Sequence, residues 1–256
     1  MLTPSKTMDF ITPVPDFVTP GRPLFEHESK QIRSLLCNYN EKTIIKLMHV
    51  SPILAERVRT MYADITSQKA ALWTYSGDVF KGFQAATLTQ ADSAFAQRHL
   101  LIPSAVYGLL RPNDMIRPYR LEMKAKLAVG SSKDLYQFWG ERLAEYMTHR
   151  EELADTVCVL ASDEYARAAI CALPKHIRLV TPVFLDTKPN GTIGAVPIYS
   201  KMMRGVMGRW IIEHRINDPE RLREFSGQEY HYNSAHSRPN RPAFYRVVPS
   251  PLRFLQ

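Results

Sequence analysis

The sequence predicts an α/β mixed fold of the α+β type, built as a single compact domain over residues 1–256. Apolar residues recur at helical spacing early in the chain, and a continuous apolar run over 156–161 is typical of a buried strand. No linker or internal repeat divides the chain. Of its 256 residues 45% are hydrophobic and 23% are charged. That composition supports a buried core and excludes a disordered protein.

The N-terminal part is predicted to be helical after a proline-rich start. Residues 10–25 hold several prolines and little periodicity, which indicates an extended surface segment. The predicted helices that follow are, in order, 25–39, 41–48, one from Pro52, one over 91–101 and a short one over 105–110. Ser51, Thr89 and Ser104 precede three of these helices and are expected to cap them, because their side chains can accept a hydrogen bond from a backbone N–H of the first turn.

Strands appear in the second half, between further helices. The predicted elements are, in order, a strand over 118–127, a helix over 134–146, a strand over 156–161, a helix over 164–172, strands over 177–185 and 194–199, a basic helix over 201–216 and a short helix over 219–225. The turn at 188–191 is typical of a hairpin between the last two strands. Residues 226–256 are polar and aromatic, without a clear period.

The net charge of +8, from 33 Lys and Arg against 25 Asp and Glu, is unevenly distributed along the chain. Residues 98–126 hold six basic and two acidic side chains, and residues 196–256 hold ten and five. If folding brings these two basic blocks together, they form a basic cleft that attracts phosphates. The alternative is two solvated faces on opposite sides of the molecule.

Several classes of protein are excluded or disfavoured. No apolar run is long enough for a membrane helix, and the N-terminus lacks the apolar region of a secretory signal, so we expect no membrane association. The cysteines Cys37, Cys158 and Cys171 form no CxxC motif, and Cys158 and Cys171, which lie in apolar runs, are interpreted as small buried thiols in a protein of the reducing cytoplasm. The nucleotide-binding, HExxH and GxSxG motifs are absent, so neither a cofactor nor a metal is predicted. His231, His236 and Glu229 are interpreted as solvated residues of the tail rather than as metal ligands.

Lys6 begins the list of candidate site residues. It stands between the hydroxyls of Ser5 and Thr7, a setting that suits a phosphate or another anion, although an ordinary surface lysine is the alternative. The segment 111–122 contains further candidates, three arginines and a tyrosine: Arg111, Arg117, Arg120 and Tyr119. Arginine is the residue best suited to bind phosphate oxygens with two N–H groups. On a strand Arg120 and Glu122 point the same way, so a simple ion pair is the alternative there.

Two further motifs carry polar residues. Ser162, Asp163 and Glu164 directly follow the apolar run 156–161, and the end of a buried strand is a common position for a site. A helix cap is the alternative interpretation. In the basic helix over 201–216, the side chains of Lys201, Arg204 and Arg209 and the glycines Gly205 and Gly208 are three or four residues apart. They form a basic, partly bare face for a phosphate backbone, or a solvated face whose glycines allow tight packing.

The motifs occur together in an order that resembles the bacterial YaaA family of peroxide stress proteins. The segments that carry this resemblance cover nearly the whole chain and are Lys6–Met8, Gly77–Phe80, Tyr107–Pro112, Pro118–Met123, Lys133–Trp139, Leu160–Tyr165, Pro182–Asp186 and Lys201–Gly205. The resemblance implies a cytoplasmic, peroxide-induced protein that limits free intracellular iron, with a mixed α/β domain and a positively charged cleft. It also implies binding to double-stranded and branched DNA through a helix-hairpin-helix-like element, which maps onto the helix 91–101, the hairpin near 103–108 and the turn beyond.

The chain departs from the family pattern at three places. The mildest is the lysine motif, which is Ser-Pro-Ala-Lys in the family and Thr-Pro-Ser-Lys at residues 3–6 here. Ala105 replaces a glycine of the hairpin, where a positive φ or a close phosphate approach would favour glycine. The apolar strand that precedes the lysine motif in the family is almost missing before Thr3. Either the chain starts late or its sheet lacks most of one edge.

We therefore expect a cytosolic, monomeric peroxide stress protein that binds double-stranded or branched DNA without sequence preference. The predicted DNA-binding residues are Lys6, Tyr107, Gly108, Arg111, Arg117, Arg120, Lys201, Arg204 and Arg209. The less favoured hypothesis is an enzyme acting on a nucleotide or another anionic small molecule, with Lys6, Glu122 and Glu164 as catalytic candidates. Asp78, Arg120, Ser162 and Lys201 belong to the same set of polar residues. Convergence of Lys6, Glu122 and Glu164 in one closed pocket would favour the enzyme, and an open groove that is lined by the arginines and wide enough for a duplex would favour DNA binding.

Overall fold

A computed structural model describes residues 1–149 and 155–247 of the chain. Its α-helices are α1 (Glu26–Cys37), α2 (Glu41–Met48), α3 (Pro52–Ala63), α4 (Ala71–Thr74), α5 (Asp78–Phe83), α6 (Gln90–His99), α7 (Leu135–Thr148), α8 (Asp163–Ile170) and α9 (Pro197–Glu213). Short 3-10 helices lie at Ala85–Thr87, Pro219–Glu224 and Ser234–His236. Helices and strands are mixed along the chain, which confirms the α+β class.

The strands are short and form several small sheets rather than one large one. They are β1 (Lys69–Ala70), β2 (Ile102–Ser104), β3 (Gly108–Leu110), β4 (Met115–Ile116), β5 (Thr156–Cys158), β6 (Arg178–Val180), β7 (Val183–Thr187), β8 (Ile193–Gly194), β9 (Ser226–Gly227), β10 (Tyr230–Tyr232) and β11 (Ala243–Arg246). The largest sheet has the order β8-β7-β11-β10-β9, with β7 and β11 parallel and the other pairs antiparallel. The pairs β1–β4 and β2–β3 are antiparallel, and β5–β6 is parallel.

Local capping explains why most helices lie where the sequence predicts them. The side chain of Asn40 accepts a hydrogen bond from the N–H of Thr43 at the start of α2, and Ser51 caps α3 in the same way. Thr89 and Asp92 form a capping box that begins α6. Such contacts depend on residues only three positions apart, so they can be recognised in the sequence.

Other predicted elements are wrong. Residues 105–110 form no helix, because β2 and β3 pair as a hairpin with Ser104 opposite Gly108. The predicted strand 177–185 divides into β6 and β7, which belong to different sheets. The segment 118–127 is no strand, although its side chains are alternately buried and outward-facing. The tail contains β9, β10 and β11, and its residues 248–256 lie outside the described part of the chain.

The helices α5 and α9 cross in close contact at two glycines. A Cβ on Gly205 would lie 1.8 Å from the carbonyl oxygen of Val79, and a Cβ on Gly82 would lie 2.2 Å from that of Met202. Gly208 is also buried, against Phe83 and other apolar side chains. The glycines of the basic helix therefore allow tight helix packing, and the expectation of a bare face open to a phosphate backbone is wrong for them.

Two buried polar groups stabilise the interior. In the largest sheet the carboxylate of Asp186, which is fully buried, accepts a hydrogen bond of 2.9 Å from Nε of Arg246 and another from the hydroxyl of Tyr230, and it forms an ion pair of 2.8 Å with Nη2 of Arg246. Beside the hairpin, the hydroxyl of Tyr119 lies 2.7 Å from that of Tyr75 and 2.8 Å from that of Ser104. Burial raises the pKa of Tyr119 to about 12, so this phenol stays neutral.

Candidate anion-binding site

The N-terminal segment 1–9 places Lys6 between distant parts of the chain. Leu2 forms a parallel bridge with Leu160, just after β5. The N–H of Leu2 donates a hydrogen bond to the carbonyl of Leu101. Met8 forms an antiparallel bridge with Tyr75. The buried Lys69 donates a hydrogen bond of 2.8 Å to the carbonyl of Asp9. The segment is therefore held at both ends, and Lys6 lies on a fixed stretch of backbone.

Two contacts close to Lys6 fix this stretch further. A Cβ on Gly77 would lie 2.3 Å from Oγ of Ser5, so the loop before α5 can approach the segment only because residue 77 is a glycine. The hydroxyl of Thr3 accepts a hydrogen bond from the N–H of Ser162, at the start of α8. The lysine thus lies between the first turns of α5 and α8. Asp78, the first residue of α5, makes no ion pair with any other described residue.

The three catalytic candidates converge around this lysine. The ammonium of Lys6 forms an ion pair with the carboxylate of Glu122, and the ammonium of Lys124 lies 3.1 Å from the other oxygen of that carboxylate. The carboxylate of Glu164 accepts a hydrogen bond of 3.2 Å from the N–H of Lys124. Glu164 also acts on Lys6, whose pKa it tends to raise. Residues from the N-terminal segment, the extended segment 118–127 and α8 therefore form one polar cluster.

Positive charge exceeds negative charge in this cluster. The pKa of Lys6 lies below the usual value for lysine, first because of partial burial and then because of the nearby cations Arg120, Lys124 and Lys201. Among the described residues neither Arg120 nor Lys201 has an ion-pair partner. We call Lys6, Arg120, Lys124 and Lys201 the cationic cluster. Four cations near two carboxylates leave an excess of positive charge that an anion would neutralise.

The two basic blocks of the sequence meet at the cationic cluster. Arg120 and Lys124 come from the block 98–126, and Lys201 comes from the block 196–256. Lys124 is a site residue that the sequence interpretation missed. The signal was present, because alternation along the segment puts residue 124 on the same side as Glu122.

Four of the predicted DNA-binding arginines lie outside the cationic cluster, and two of these four, Arg111 and Arg209, are held by protein groups. The guanidinium of Arg111 is bound to the buried carboxylate of Asp114, at 2.9 Å. Arg209 pairs with Glu213 and donates to carbonyls at the end of α5, including that of Gln84 at 2.6 Å. Arg117 lies near the start of α1, where Lys30 lowers the pKa of Glu26 and Arg22 and Arg117 add smaller contributions. Arg204 is half-buried beside Asp163, and burial lowers its pKa.

The hairpin residues are buried. Tyr107 is 4% exposed, and its hydroxyl accepts a hydrogen bond of 2.9 Å from the N–H of Arg117. Gly108 has a φ of +71°, and a Cβ there would lie 2.7 Å from the ring of Trp139. The N–H groups of Val106 and Tyr107 donate to Oγ of Ser104. The N–H groups of Val106 and Tyr107 are therefore hydrogen-bonded within the hairpin, and Gly108 allows the hairpin to pack against Trp139. After α6 the chain forms β2, β3 and β4 before the next helix begins at Leu135.

Some other kinds of site find no support in the described part of the chain. Within residues 1–149 and 155–247, no three His, Cys, Asp or Glu side chains lie together in a way that could hold a metal ion. The helices of these residues are also too short or too polar to cross a membrane.

Comparison with known proteins agrees with the order of motifs. The family described as peroxide stress protein YaaA matches residues 1–236. The chain belongs to the YaaA family of peroxide stress proteins. This confirms the resemblance and, at the level of the family, a role in peroxide stress. The match to the YaaA family ends before β11 begins at Ala243.

Two curated relatives are similar to this chain over most of its length. A UPF0246 protein from Rhizorhabdus wittichii is 39% identical over 238 residues, which are 91% of this chain and 93% of the relative. A UPF0246 protein from Verminephrobacter eiseniae is 38% identical over 258 residues, which are 98% of each chain. The similarity therefore includes the N-terminal segment, the extended segment 118–127 and α9, which together supply the cationic cluster.

Proposed function

We propose that this YaaA-family protein acts in peroxide stress by binding the phosphates of double-stranded or branched DNA, without sequence preference, at the cationic cluster. One observation carries the proposal: Lys6, Arg120, Lys124 and Lys201 gather around the carboxylates of Glu122 and Glu164. The pKa of Lys6 is lowered first by burial and then by repulsion from the neighbouring cations, and a phosphate in the cluster would relieve that repulsion. Contacts to phosphates position DNA and carry no sequence information, which suits a protein that protects DNA in general.

Salt dependence tests this proposal directly. Each phosphate that a cation neutralises releases counterion, so the affinity for duplex DNA falls linearly with salt on a double logarithmic scale. We expect two duplexes of unrelated sequence to bind equally, measured by fluorescence anisotropy at several salt concentrations. In the double variant Lys124→Glu/Lys201→Glu the binding weakens and the slope decreases by about 1 for each lost contact.

The control is Lys175→Glu, which changes an exposed lysine between α8 and β6. Lys175 does not belong to the cationic cluster, so this variant should bind DNA almost as the wild type does. An affinity that does not depend on salt, or equal losses in the control and in the double variant, would contradict the proposal.

Limiting free intracellular iron and oxidative DNA damage is the second part of the proposal, and the family resemblance is what supports it. We assign this part to the protein as a whole and not to a set of iron ligands. The test compares cells that carry the wild type or Lys124→Glu/Lys201→Glu after exposure to peroxide. If DNA binding and iron limitation are linked, free iron measured by electron paramagnetic resonance rises in the variant. Unchanged iron in cells with the variant would separate the two activities.

The convergence of Lys6, Glu122 and Glu164 favours a second candidate, an enzyme that acts on a nucleotide or another anionic small molecule. An amine whose pKa is lowered by burial and by neighbouring cations, placed beside two carboxylates, is suited to proton transfer, while the surrounding cations hold an anionic substrate. The test incubates the protein with nucleotides and follows product by phosphorus NMR. We expect Glu164→Gln to abolish turnover while phosphate binding persists. Absence of turnover by the wild type over a broad set of nucleotides would contradict this candidate.

A further inference from the structure

A groove of about 560 Å³ adjoins the cationic cluster. One wall is the C-terminal part of α2 with Tyr39 before it, and the other is the extended segment from Arg120 to Lys126. Leu121 and Ala125 of that segment are buried. Among the described residues no strand pairs with the segment, so a groove is left between it and α2. Its volume is typical of a small-molecule site, whose usual range is about 300–1,000 Å³.

The lining of the groove combines cations with partly exposed apolar groups. The cations are Lys46 on α2 and Arg120, Lys124 and Lys126 on the segment. The one carboxylate of the lining, that of Glu122, is already shared by Lys6 and Lys124. The apolar groups are half-buried and lie on the side of α2: Tyr39, Leu47 and Met48. The groove is therefore complementary to a molecule with an anionic end and a flat apolar end.

The two walls differ in electrostatics, which orients such a molecule. The helix α2 ends at the groove, with His49 in a left-handed conformation as its C-terminal cap. The carbonyl groups at a helix C-terminus carry partial negative charge and disfavour an anion. The anionic end is consequently expected on the side of Arg120 and Lys124, and the flat end against Tyr39 and Leu47.

We propose that this groove binds the base of a single nucleotide whose phosphate lies on the cationic cluster, an assignment that rests on the proposed phosphate binding. The shared chemistry is a phosphate ester carrying an aromatic base. Its source is either a free nucleotide or an unpaired nucleotide in DNA. An aromatic side chain such as Tyr39 gives every base a surface to stack on, so the groove adds affinity without sequence preference.

The first arm of the test compares AMP with ribose 5-phosphate by isothermal titration calorimetry. Both carry the same phosphate, and only AMP carries a base. We expect AMP to bind about tenfold more tightly, which is the lower part of the range for stacking of one base. In Tyr39→Ala the affinity for AMP should fall to that for ribose 5-phosphate, whereas Tyr39→Phe should keep the advantage of AMP.

A matched pair of surface variants keeps the test valid if Tyr39→Ala fails to fold. Lys46 and Lys42 are both exposed on α2, but only Lys46 lines the groove. We expect Lys46→Glu to weaken AMP binding clearly more than Lys42→Glu, because the latter changes only the general charge of the helix. Equal effects of the two changes, or equal affinities for AMP and ribose 5-phosphate, would overturn the assignment of the groove.

The second arm distinguishes the source of the nucleotide. It compares a duplex containing one unpaired nucleotide with the same duplex carrying an abasic residue at that position. Tighter binding of the unpaired base supports DNA as the source, and equal binding together with tight AMP binding supports a free nucleotide. If fully paired duplex DNA binds but AMP has no advantage over ribose 5-phosphate, the groove assignment fails alone. If AMP binds tightly and duplex DNA does not, the proposed DNA binding fails alone.

Discussion

Ser5 and Gly77 lie so close together that a Cβ on Gly77 would be 2.3 Å from Oγ and 3.0 Å from Cβ of Ser5. The contact joins the segment that carries Lys6 to the loop that begins α5. The position of Lys6 in the cationic cluster therefore depends on the absence of a side chain at residue 77.

The change Gly77→Ala should displace the N-terminal segment and weaken phosphate binding. We expect the affinity for ribose 5-phosphate to fall by about tenfold, which corresponds to about 1.4 kcal/mol. The second change Ser5→Gly removes the atoms that collide with the new methyl group, so the double variant should recover much of the affinity. Calorimetric titration measures both effects. If Gly77→Ala binds as the wild type does, the contact does not position Lys6.

The crossing of α5 and α9 should be intolerant of any side chain at Gly205. The methyl group in Gly205→Ala would collide with the carbonyl oxygen of Val79, a backbone atom that moves only with its helix. We expect the free energy of unfolding to fall by about 3 kcal/mol or more. Gly140→Ala is the matched control, because Gly140 is also buried in a helix but its new Cβ would find only Sγ of Cys171, at 3.7 Å.

The control variant should be neutral or more stable by up to about 1 kcal/mol, since alanine favours a helix over glycine. Urea denaturation gives both free energies. Equal effects of the two changes would mean that the helices can separate at the crossing without loss of stability.

The hydroxyl of Tyr119 should stabilise the core through its two buried hydrogen bonds. Tyr119→Phe leaves the hydroxyls of Tyr75 and Ser104 without this partner, and we expect a loss of about 1–3 kcal/mol. Tyr232→Phe is the control, because the ring of Tyr232 is only half-buried and its hydroxyl makes no hydrogen bond with any other residue in the described part of the chain. Its effect should stay within about 0.5 kcal/mol.

Alkaline unfolding gives a second measure of the same group. The pKa of Tyr119 is about 12 in the folded protein and near 10 in the unfolded chain. Because the folded value is the higher one, this stabilisation is fully present below pH 10 and is lost as the pH rises toward about 12. Stability of Tyr119→Phe should depend less steeply on pH in that window. An identical dependence in both proteins would contradict the buried environment of this phenol.

As the pH is raised, anion binding should weaken earlier than the deprotonation of an ordinary lysine would predict. Burial and the cations Arg120, Lys124 and Lys201 lower the pKa of Lys6, so its ammonium is lost before the usual range for lysine is reached. As the pH rises above neutral, the affinity for ribose 5-phosphate, a dianion in this range, should decline in the wild type before an ordinary lysine would lose its charge. Lys6→Arg keeps its charge and should hold the affinity nearly constant. Parallel pH profiles of the two proteins would exclude Lys6 as the titrating group.

The sequence predicted the elements that depend on near neighbours. The helix over 41–48 has the predicted bounds, because Asn40 caps its first turn and its apolar residues repeat at helical spacing. The pairing of β2 with β3 was missed by the residue pattern, because an apolar run with one glycine fits a short helix as well as a strand, whereas the family resemblance did place a hairpin near 103–108. The strand β11 was missed because its parallel partner β7 lies far away in the chain, with Phe244 opposite Phe184. Such pairings leave no local pattern.

The candidate site was predicted in part for the same reason. Lys6, Glu122 and Glu164 were singled out by their motifs, and the structure brings them together. Arg111 and Arg209 also looked available, but their partners Asp114 and Gln84 bind them in ways that a count of charges does not reveal. A charged side chain is free for a ligand only when the folded protein leaves it without a better partner.

The position of β11 in the middle of the largest sheet has a consequence for biosynthesis. The strand order joins the hairpin β7–β8 to the pair β9–β10 only through β11, which is the last of these strands to be translated. Until residues 243–246 emerge from the ribosome, both neighbours expose an unpaired edge and the carboxylate of Asp186 lacks its arginine. Unpaired edges are the surfaces on which nascent chains aggregate. The sheet therefore cannot be completed before β11 is available, and until then its two parts are open to pairing with other chains.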